Sequence, residues 1–167
     1  METDERPQKT SLTAIREAMA MLSDLRRSLG TSPAGKRILW IDDQPANNQL
    51  PHRLLDDSGA SIVIALSTEE ATSILERSEC AIALVISDMS RGDNQLAGIE
   101  VLKYLQKSEL HMPVIIYSDS PLAKAHCKDI HRLGGIGPLV GPQSLIECIK
   151  AVLSTSNLNK AIDSDEK

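Results

Sequence analysis

The chain has 167 residues and a formal net charge of −5, and 41% of its residues are hydrophobic and 25% charged. This length suits one domain with short appendages, because domains of about 100 to 150 residues are the commonest, and the negative charge with one Trp, two Tyr and no Phe argues against binding nucleic acid. Neither a secretion signal nor an apolar run of about 18 residues occurs, so we expect a cytoplasmic protein that does not enter a membrane.

An amphipathic helix is predicted first, over residues 10–29, because apolar residues recur at spacings of three and four from Ile15 to Leu29. The polar residues 1–9 before it are predicted to be disordered, and GTSPAG at residues 30–35 is typical of a flexible linker. The apolar stripe of this helix has to pack somewhere, because exposing it to water is costly. We expect a homodimer or partner contact through the helix, and packing on the home domain is the alternative.

Five short apolar segments, rich in Ile and Val, follow the linker and alternate with helical patterns. The segments are RILWID, SIVIAL, AIALVISD, PVIIYS and IGPLV, and the helical patterns cover residues 48–58, 68–78, 97–108, 121–133 and 142–153. Strict alternation predicts an α/β fold with a parallel sheet between two layers of helices, because parallel strands need long crossover connections. We expect this domain to span residues 36–153, and the polar tail at residues 154–167 to be disordered.

Acidic side chains follow two of these predicted strands. Asp42 and Asp43 come directly after the first strand, Asp88 follows the third, and Ser118 follows the fourth. Ligands of doubly wound sheets bind beyond the carboxyl ends of the strands, where the strand order reverses, so a strand order of 2-1-3-4-5 brings the three acids into one crevice. Two unit charges about 4 Å apart repel by roughly 4 kcal/mol at an effective dielectric of 20, so the cluster needs a proton or a counter-ion such as Mg²⁺. The alternative is that Asp42 and Asp43 only cap the next helix.

Residues 36–153 resemble the receiver domain of two-component response regulators. The motifs that carry the resemblance are the acidic pair, the aspartate after the third strand, the hydroxyl after the fourth strand, GIEVLKYL and GPQSL. The resemblance implies a flavodoxin-like (βα)5 fold, with a parallel five-stranded sheet of order 2-1-3-4-5 and here an extra N-terminal helix. It implies a single-domain signalling protein and not a turnover enzyme. Its partners would be a histidine kinase or phosphotransfer protein and a downstream protein.

The resemblance also implies a role for each residue of the candidate site. Asp88 would accept a phosphoryl group, and Ser118 would turn its hydroxyl toward that group. Mg²⁺ would be bound by Asp43, Asp88 and the backbone carbonyl of Ser90, and by Asp42 through a water molecule. Phosphoryl transfer of this kind needs positioning and charge neutralisation more than covalent machinery.

Several residues depart from the pattern of the family. Gly141 precedes Pro142 where the family has a lysine that contacts the phosphoryl oxygens, and Asp119 adds a negative charge after the switch hydroxyl. The loop DMSRGDNQLAG lacks the usual proline, and we expect its Arg91 to be solvated, with folding back as a substitute cation as the alternative. These departures raise a second hypothesis, a pseudo-receiver that binds partners without a phosphorylation cycle.

Three weaker signals favour no separate function. His126, Cys127 and His131 lie on one predicted helix, but no second pair of zinc ligands is visible elsewhere in the sequence. The RGD tripeptide is interpreted as flexible surface. A haloacid-dehalogenase-like phosphatase would need a second aspartate two residues after Asp42, and Gln44 occupies that position.

Overall fold

The structure is a computed structural model that describes the backbone of residues 6–77 and 81–165 and the side chains of residues 12–77 and 81–155. Strands and helices alternate after a first long helix, as the sequence predicts. The helices are α1 (Arg6–Leu29), α2 (Gln49–Asp57), α3 (Thr68–Leu75), α4 (Ala97–Lys107), α5 (Pro121–Ala125), α6 (Cys127–Arg132) and α7 (Pro142–Asp165). The strands are β1 (Arg37–Ile41), β2 (Ser61–Ala65), β3 (Ile82–Ser87), β4 (Val114–Tyr117) and β5 (Ile136–Leu139).

The five strands form one parallel sheet in the order β2-β1-β3-β4-β5, which confirms the predicted topology. The register aligns the carboxyl ends of the three inner strands. Ile41 at the end of β1 pairs with Ser87 at the end of β3, and Ser87 in turn pairs with Ile116 of β4. The residues that follow these strand ends therefore meet at one edge of the sheet.

Two apolar layers cover the two faces of the sheet, because successive side chains of a strand point to opposite faces. On β1, Leu39 and Ile41 belong to the layer with α3, α4 and α6, whereas Ile38 and Trp40 belong to the layer with α2, α7 and the end of α1. All four of these side chains are buried, which explains why the segment has no polar alternation. Among the described residues, no helix is long and apolar enough to cross a membrane.

The end of α1 packs on its own domain. Leu25 and Leu29 are buried in the same layer as α2 and α7, and Arg26 forms an exposed ion pair with Asp57 of α2 at 2.7 Å. The earlier part of the helix is different, because its apolar side chains face solvent: Leu12, Ile15 and Met19 are 59%, 52% and 65% exposed. Home packing, the alternative in the sequence analysis, therefore accounts for the last turns of α1 and leaves the rest of its stripe uncovered.

The segment between α1 and β1 is a hydrogen-bonded turn and not the free tether that its composition predicted. Pro33 is buried, the Gly35 amide donates to the carbonyl of Gly59 at 2.9 Å, and the hydroxyls of Ser32 and Ser154 are 3.3 Å apart. These contacts join the turn to the residues that follow α2 and to the middle of α7. They fix the direction in which α1 leaves the domain.

Several helix ends differ from their predicted positions. The first helix begins at Arg6, inside the segment predicted to be disordered, of which residues 1–5 lie outside the described residues. The last helix continues through the predicted tail to Asp165, because no Gly or Pro interrupts the sequence after Pro142 and helix propagation is cheap once a turn exists. The helix predicted over residues 121–133 is divided at His126, which ends α5 and begins α6 with φ −96° and ψ 16°.

Candidate functional site

Three carboxylates meet at the carboxyl ends of β1 and β3. The Asp42 amide donates to the carbonyl of Ala65 and the Asp88 amide donates to the carbonyl of Ile41, both at 3.0 Å, so the acids continue the ladders of the sheet. Carboxylate oxygens of Asp42, Asp43 and Asp88 all lie within 4.8 Å of one another. The structure thus brings together the three acids that the sequence assigned to one crevice.

The acidic pair is held by its own loop and does not cap α2. Asp42 is buried, and its two carboxylate oxygens accept the Gln44 amide at 2.8 Å and Nδ2 of Asn48 at 2.7 Å. Asp43 is exposed and accepts the amide of Gly92 at 2.9 Å. Asn48 is the N-cap residue of α2 and makes no side-chain cap. The helix-capping alternative for this pair is therefore wrong.

Asp88 is half-buried between these acids and the end of β4. One of its carboxylate oxygens accepts the Met89 amide at 2.6 Å. Burial raises the pKa of the Asp88 carboxyl above its ordinary value, and the Asp42 carboxylate raises it further, while hydrogen bonds from the Met89 amide and the Ser118 hydroxyl oppose the shift. The environment of Asp88 therefore favours a proton or a compensating charge.

The two serines predicted for the site lie on either side of Asp88. Ser118 follows β4, where its amide donates to the carbonyl of Leu139 at 3.0 Å and its Oγ accepts the Ser120 amide at 3.4 Å. The Ser90 hydroxyl donates to the carbonyl of Gln95 at 3.0 Å, so this side chain is engaged within its loop. Both serines border the same cavity as the acids.

A cavity of about 670 Å³ opens over this edge of the sheet. Its lining consists of Asp42, Asp43, Gln44, Asn47, Asn48, Asp88, Ser90, Gly92, Tyr117, Ser118, Asp119, Leu139, Val140 and Gly141. Among the residues whose side chains the structure describes, no Lys, Arg or His belongs to that lining, and Asp119 adds a fourth acid. Gly141 has a left-handed φ of +81° and nothing within 4 Å of the place that a Cβ would take. The cavity is therefore acidic, with open space where the family has its lysine.

Arg91 is buried, and the prediction of a solvated loop arginine is wrong. The residue is 6% exposed, and its Nη1 donates to Oγ of Ser87 at 2.9 Å and to the carbonyl of Asp88 at 3.1 Å. The same nitrogen reaches the carbonyl of Ile41 at 3.5 Å, and Nη2 donates to Oγ1 of Thr68 at 2.9 Å. The guanidinium therefore joins the ends of β1 and β3 to the start of α3.

Local backbone contacts fold the loop after Asp88 back toward the sheet. Arg91 and Asn94 exchange backbone hydrogen bonds of 2.9 Å, and the Gly98 amide donates to the carbonyl of Met89 at 2.9 Å. A Cβ on Gly98 would lie only 2.9 Å from the carbonyl oxygen of Asp88, so only glycine allows α4 to approach this closely. The fold-back direction decides whether the arginine faces solvent or the strand ends, and the sequence contains no signal for it.

The weaker sequence signals form no second site in the described part of the chain. Nδ1 of His126 pairs with Asp129 at 3.0 Å, and Sγ of Cys127 lies 3.9 Å from Nε2 of His131. Among the residues described, only the three strand-end acids form a group of three or more metal-ligating side chains. The RGD tripeptide has its arginine buried, so it does not present an adhesion motif.

Comparison with known proteins agrees with this geometry. Residues 38–152, more than half of the chain, match the family model of the response regulator receiver domain. The chain belongs to this family. No curated protein matches the sequence.

Solved receiver domains share the fold at low sequence identity. A response regulator receiver domain protein from Clostridium thermocellum is 26% identical, with a TM-score of 0.61 over 74% of this chain and 98% of that chain. A CheY-like receiver domain protein from Methanospirillum hungatei JF-1 is 24% identical, with a TM-score of 0.62 over 74% of this chain and 98% of that chain. The response regulator TrrA from Thermotoga maritima, solved in complex with Mg²⁺ and BeF, is 23% identical, with a TM-score of 0.56 over 70% of this chain and 98% of that chain.

The acids of this receiver domain fit a hard divalent cation. Mg²⁺ prefers carboxylate and carbonyl oxygens, and this site offers three carboxylates within 4.8 Å of one another on the lining of an open cavity. It offers no thiolate or imidazole, which would favour a softer metal. The donor set is therefore suited to Mg²⁺.

Proposed function

We propose that this receiver domain accepts a phosphoryl group on Asp88 and thereby switches the binding of a partner protein. One observation carries the proposal: a half-buried carboxylate lies at the end of β3 with two further acids and the Ser118 hydroxyl beside it, all bordering one open cavity. An acid in such a position has both access for a phosphodonor and groups that can respond to added charge.

The proposed reaction requires only a nucleophile and compensation of charge. A carboxylate oxygen of Asp88 attacks the phosphorus atom, a bond forms between that oxygen and phosphorus, and the bond from phosphorus to the donor breaks. When the donor is a phosphohistidine, the electron pair goes to the imidazole nitrogen, which takes up a proton from solvent. The product is an acyl phosphate, and the Ser118 hydroxyl is close enough to Asp88 to donate to its new phosphoryl oxygens.

Mg²⁺ would be held by Asp43, Asp88 and the backbone carbonyl of Ser90, and by Asp42 through water. When bound, it would neutralise negative charge on the phosphoryl oxygens. Asp42 would contribute to Mg²⁺ binding mainly as a carboxylate of fixed orientation, because the Gln44 amide and Asn48 each donate a hydrogen bond to one of its oxygens.

A second candidate function is a pseudo-receiver that binds partners without phosphorylation. The observation that favours it is the acidic cavity, where no basic side chain belongs to the lining and Asp119 adds charge beside Ser118. A phosphoryl group would enter this cavity against four carboxylates. The two candidates share the fold and differ in whether Asp88 is chemically modified.

Incubation of the full chain with acetyl phosphate and Mg²⁺, followed by intact-mass measurement, separates these candidates. We expect the mass of one added phosphoryl group, which is lost in Asp88→Asn and when EDTA replaces Mg²⁺. Asp93→Asn is the matched control, because Asp93 is an exposed acid of the same loop and should leave the adduct unchanged. An unmodified wild-type chain with every donor tried would exclude phosphoacceptance and leave the pseudo-receiver.

We propose that the physiological phosphodonor is a histidine kinase or phosphotransfer protein, and that the phosphorylated domain binds a downstream protein. A cytoplasmic location is part of this proposal. Cys127 and Cys148 are free thiols, which suits a reducing compartment. Transfer from a phosphorylated kinase to the full chain, and its loss in Asp88→Asn, would be measured by radiolabel.

We also propose that the exposed part of α1 pairs with α1 of a second copy. Leu12, Ile15 and Met19 continue the helical spacing of the buried Leu25 and Leu29, so one face of the helix passes from covered to uncovered. In a twofold dimer the same patch serves both partners, and this stripe is itself a matching apolar helix face. Light scattering should give a dimer mass for the full chain and a monomer mass for Ile15→Lys, with Ser23→Lys as the exposed control. A monomer mass for the wild type would refute the pairing.

A further inference from the structure

The buried arginine and the acidic cavity raise one electrostatic question. In the described part of the chain, four carboxylates border the cavity and no basic residue belongs to its lining. Like charges at this spacing destabilise one another, so in the absence of metal either a proton or a nearby positive charge has to offset the repulsion. Arg91 is the cation buried against this cluster, although it lies outside the cavity.

Arg91 also has an unusual set of partners for a buried arginine. Its hydrogen bonds go to the neutral acceptors Ser87, Asp88 carbonyl, Ile41 carbonyl and Thr68, and Nε has no hydrogen-bond partner. Among the described residues it forms no direct ion pair within 4.0 Å. Arginine remains charged at neutral pH even when burial opposes it, so its charge has to be balanced by acids at longer range.

Most of the acids that can balance this charge belong to the candidate site. Nη1 contacts the carbonyl of Asp88 itself and the carbonyl of Ile41, the residue before Asp42. The carboxylates of Asp88, Asp43 and Asp42 all attract the guanidinium. Two further acids, Glu100 of α4 and Glu69 of α3, do so as well. The buried guanidinium and the acidic cluster therefore place opposite charges at the same strand ends.

We propose that Arg91 is the resident counter-ion of the acidic cluster: it stabilises the three ionised carboxylates in the absence of metal and weakens the binding of divalent cations. The proposal deepens the proposed function, and only its statement about metal affinity rests on that function. Arg91 is a positioning residue here. Its guanidinium attracts the carboxylates electrostatically and holds the strand ends that carry them by hydrogen bonds to their carbonyls. A purely structural arginine would have the opposite effect on metal affinity, since loosening the strand ends would weaken the site.

The first test titrates Mg²⁺ into metal-free full chain by calorimetry, with the fluorescence of the single Trp40 as a second readout. Arg91→Gln keeps a hydrogen-bond donor and removes the charge, and we expect it to bind Mg²⁺ about tenfold more tightly than the wild type. Arg91→Lys should resemble the wild type. The control Arg27→Gln removes an exposed charge on α1 and should change nothing. The proposal is overturned if Arg91→Gln binds Mg²⁺ no more tightly than the wild type does. It is supported if Arg91→Gln binds Mg²⁺ and the wild type shows no binding at all.

The second test needs no metal and measures thermal stability in EDTA. In the Arg91→Gln background, Asp43→Asn removes one of the repelling carboxylates, so we expect the double variant to melt at a higher temperature than Arg91→Gln alone. In the wild-type background the same change removes an attraction to Arg91 and should not stabilise. If Asp43→Asn changes the melting temperature by the same amount in both backgrounds, the two substitutions act independently and the proposal is overturned. If Arg91→Gln does not fold, a folded double variant supports the proposal and an unfolded one overturns it.

These tests fail separately from the proposed function, because neither measures phosphorylation. If the wild type accepts no phosphoryl group but Arg91→Gln and Asp43→Asn have non-additive effects on stability, phosphoacceptance is refuted and the counter-ion role of Arg91 is supported. If the wild type is phosphorylated and the two effects are additive, phosphoacceptance is supported and the counter-ion role is refuted.

Discussion

Substitution of Gly141 by lysine should convert the acidic cavity into a faster phosphoacceptor site. The backbone at Gly141 has φ +81°, so any L-residue there costs about 1 to 2 kcal/mol of stability. Space is available, because no atom lies within 4 Å of the Cβ position. In other enzymes one preorganised donor to a developing negative charge is worth roughly 10²- to 10³-fold in rate. We therefore expect Gly141→Lys to accelerate phosphorylation by about 10²-fold and to lower the free energy of unfolding slightly.

The assay compares initial rates of phosphorylation by acetyl phosphate at fixed Mg²⁺ for three proteins. Gly141→Met is the matched control, because it imposes the same backbone strain with a side chain of similar length and no charge. We expect the lysine variant to be fast and the methionine variant to remain at the wild-type rate, with equal losses of stability in urea. Equal rates in the lysine and methionine variants would refute the assignment of this position to charge neutralisation.

Three other predictions follow from the site. Mg²⁺ at 100 times its Kd should stabilise the wild type by about 2.7 kcal/mol, a gain that Asp43→Ala should abolish in a melting experiment. The raised pKa of Asp88 means that the folded protein holds this proton more tightly than the unfolded chain. In EDTA, the contribution of Asp88 to the free energy of unfolding should therefore be fully present below the ordinary aspartate pKa and be lost as pH rises through the raised pKa. Asp88→Asn should remove this dependence of stability on pH. An unchanged dependence in that variant would contradict the assignment to Asp88. Gly98→Ala should cost about 1 to 3 kcal/mol in urea unfolding, because its Cβ would lie 2.9 Å from the Asp88 carbonyl, whereas Gly92→Ala has open space and should cost about 1 kcal/mol. An equal loss of stability in the two variants would contradict the close approach of Gly98 to the Asp88 carbonyl.

Elements of the fold with strong local signals were predictable from the sequence. Alternation of short apolar segments with helical patterns implied parallel strands, and the strand order placed the ends of β1 and β3 side by side. The acids Asp42, Asp43 and Asp88 were predictable for the same reason, because a residue that follows a buried parallel strand must lie at the carboxyl edge of the sheet. The cap of α3 is equally local, because the Ser67 hydroxyl accepts the amide of Glu70, only three residues later in the sequence.

Features that depend on long-range packing were not predictable in this way. The apolar stripe of α1 established that the helix has a face to bury, but only the tertiary structure decides that Leu25 and Leu29 bury it at home while Ile15 stays exposed. The turn after α1 is ordered by Gly59, which is distant in sequence. The apolar face of a helix follows from its own sequence, whereas the surface that covers this face depends on how the whole chain folds.

By itself, the sequence determined the alternation of strands and helices and the acids at the strand ends, because apolar periodicity and strand-end position act within a few residues. The strand order was implied by the resemblance to receiver domains, and the structure confirms it. Only the tertiary structure decided where Arg91 lies. The residues around Arg91 in its loop are polar, and nothing in their pattern distinguishes a solvated guanidinium from one that reaches Ser87, Thr68 and the strand-end carbonyls. That choice is made by hydrogen-bond acceptors on β1, β3 and α3, which converge only when the sheet is complete.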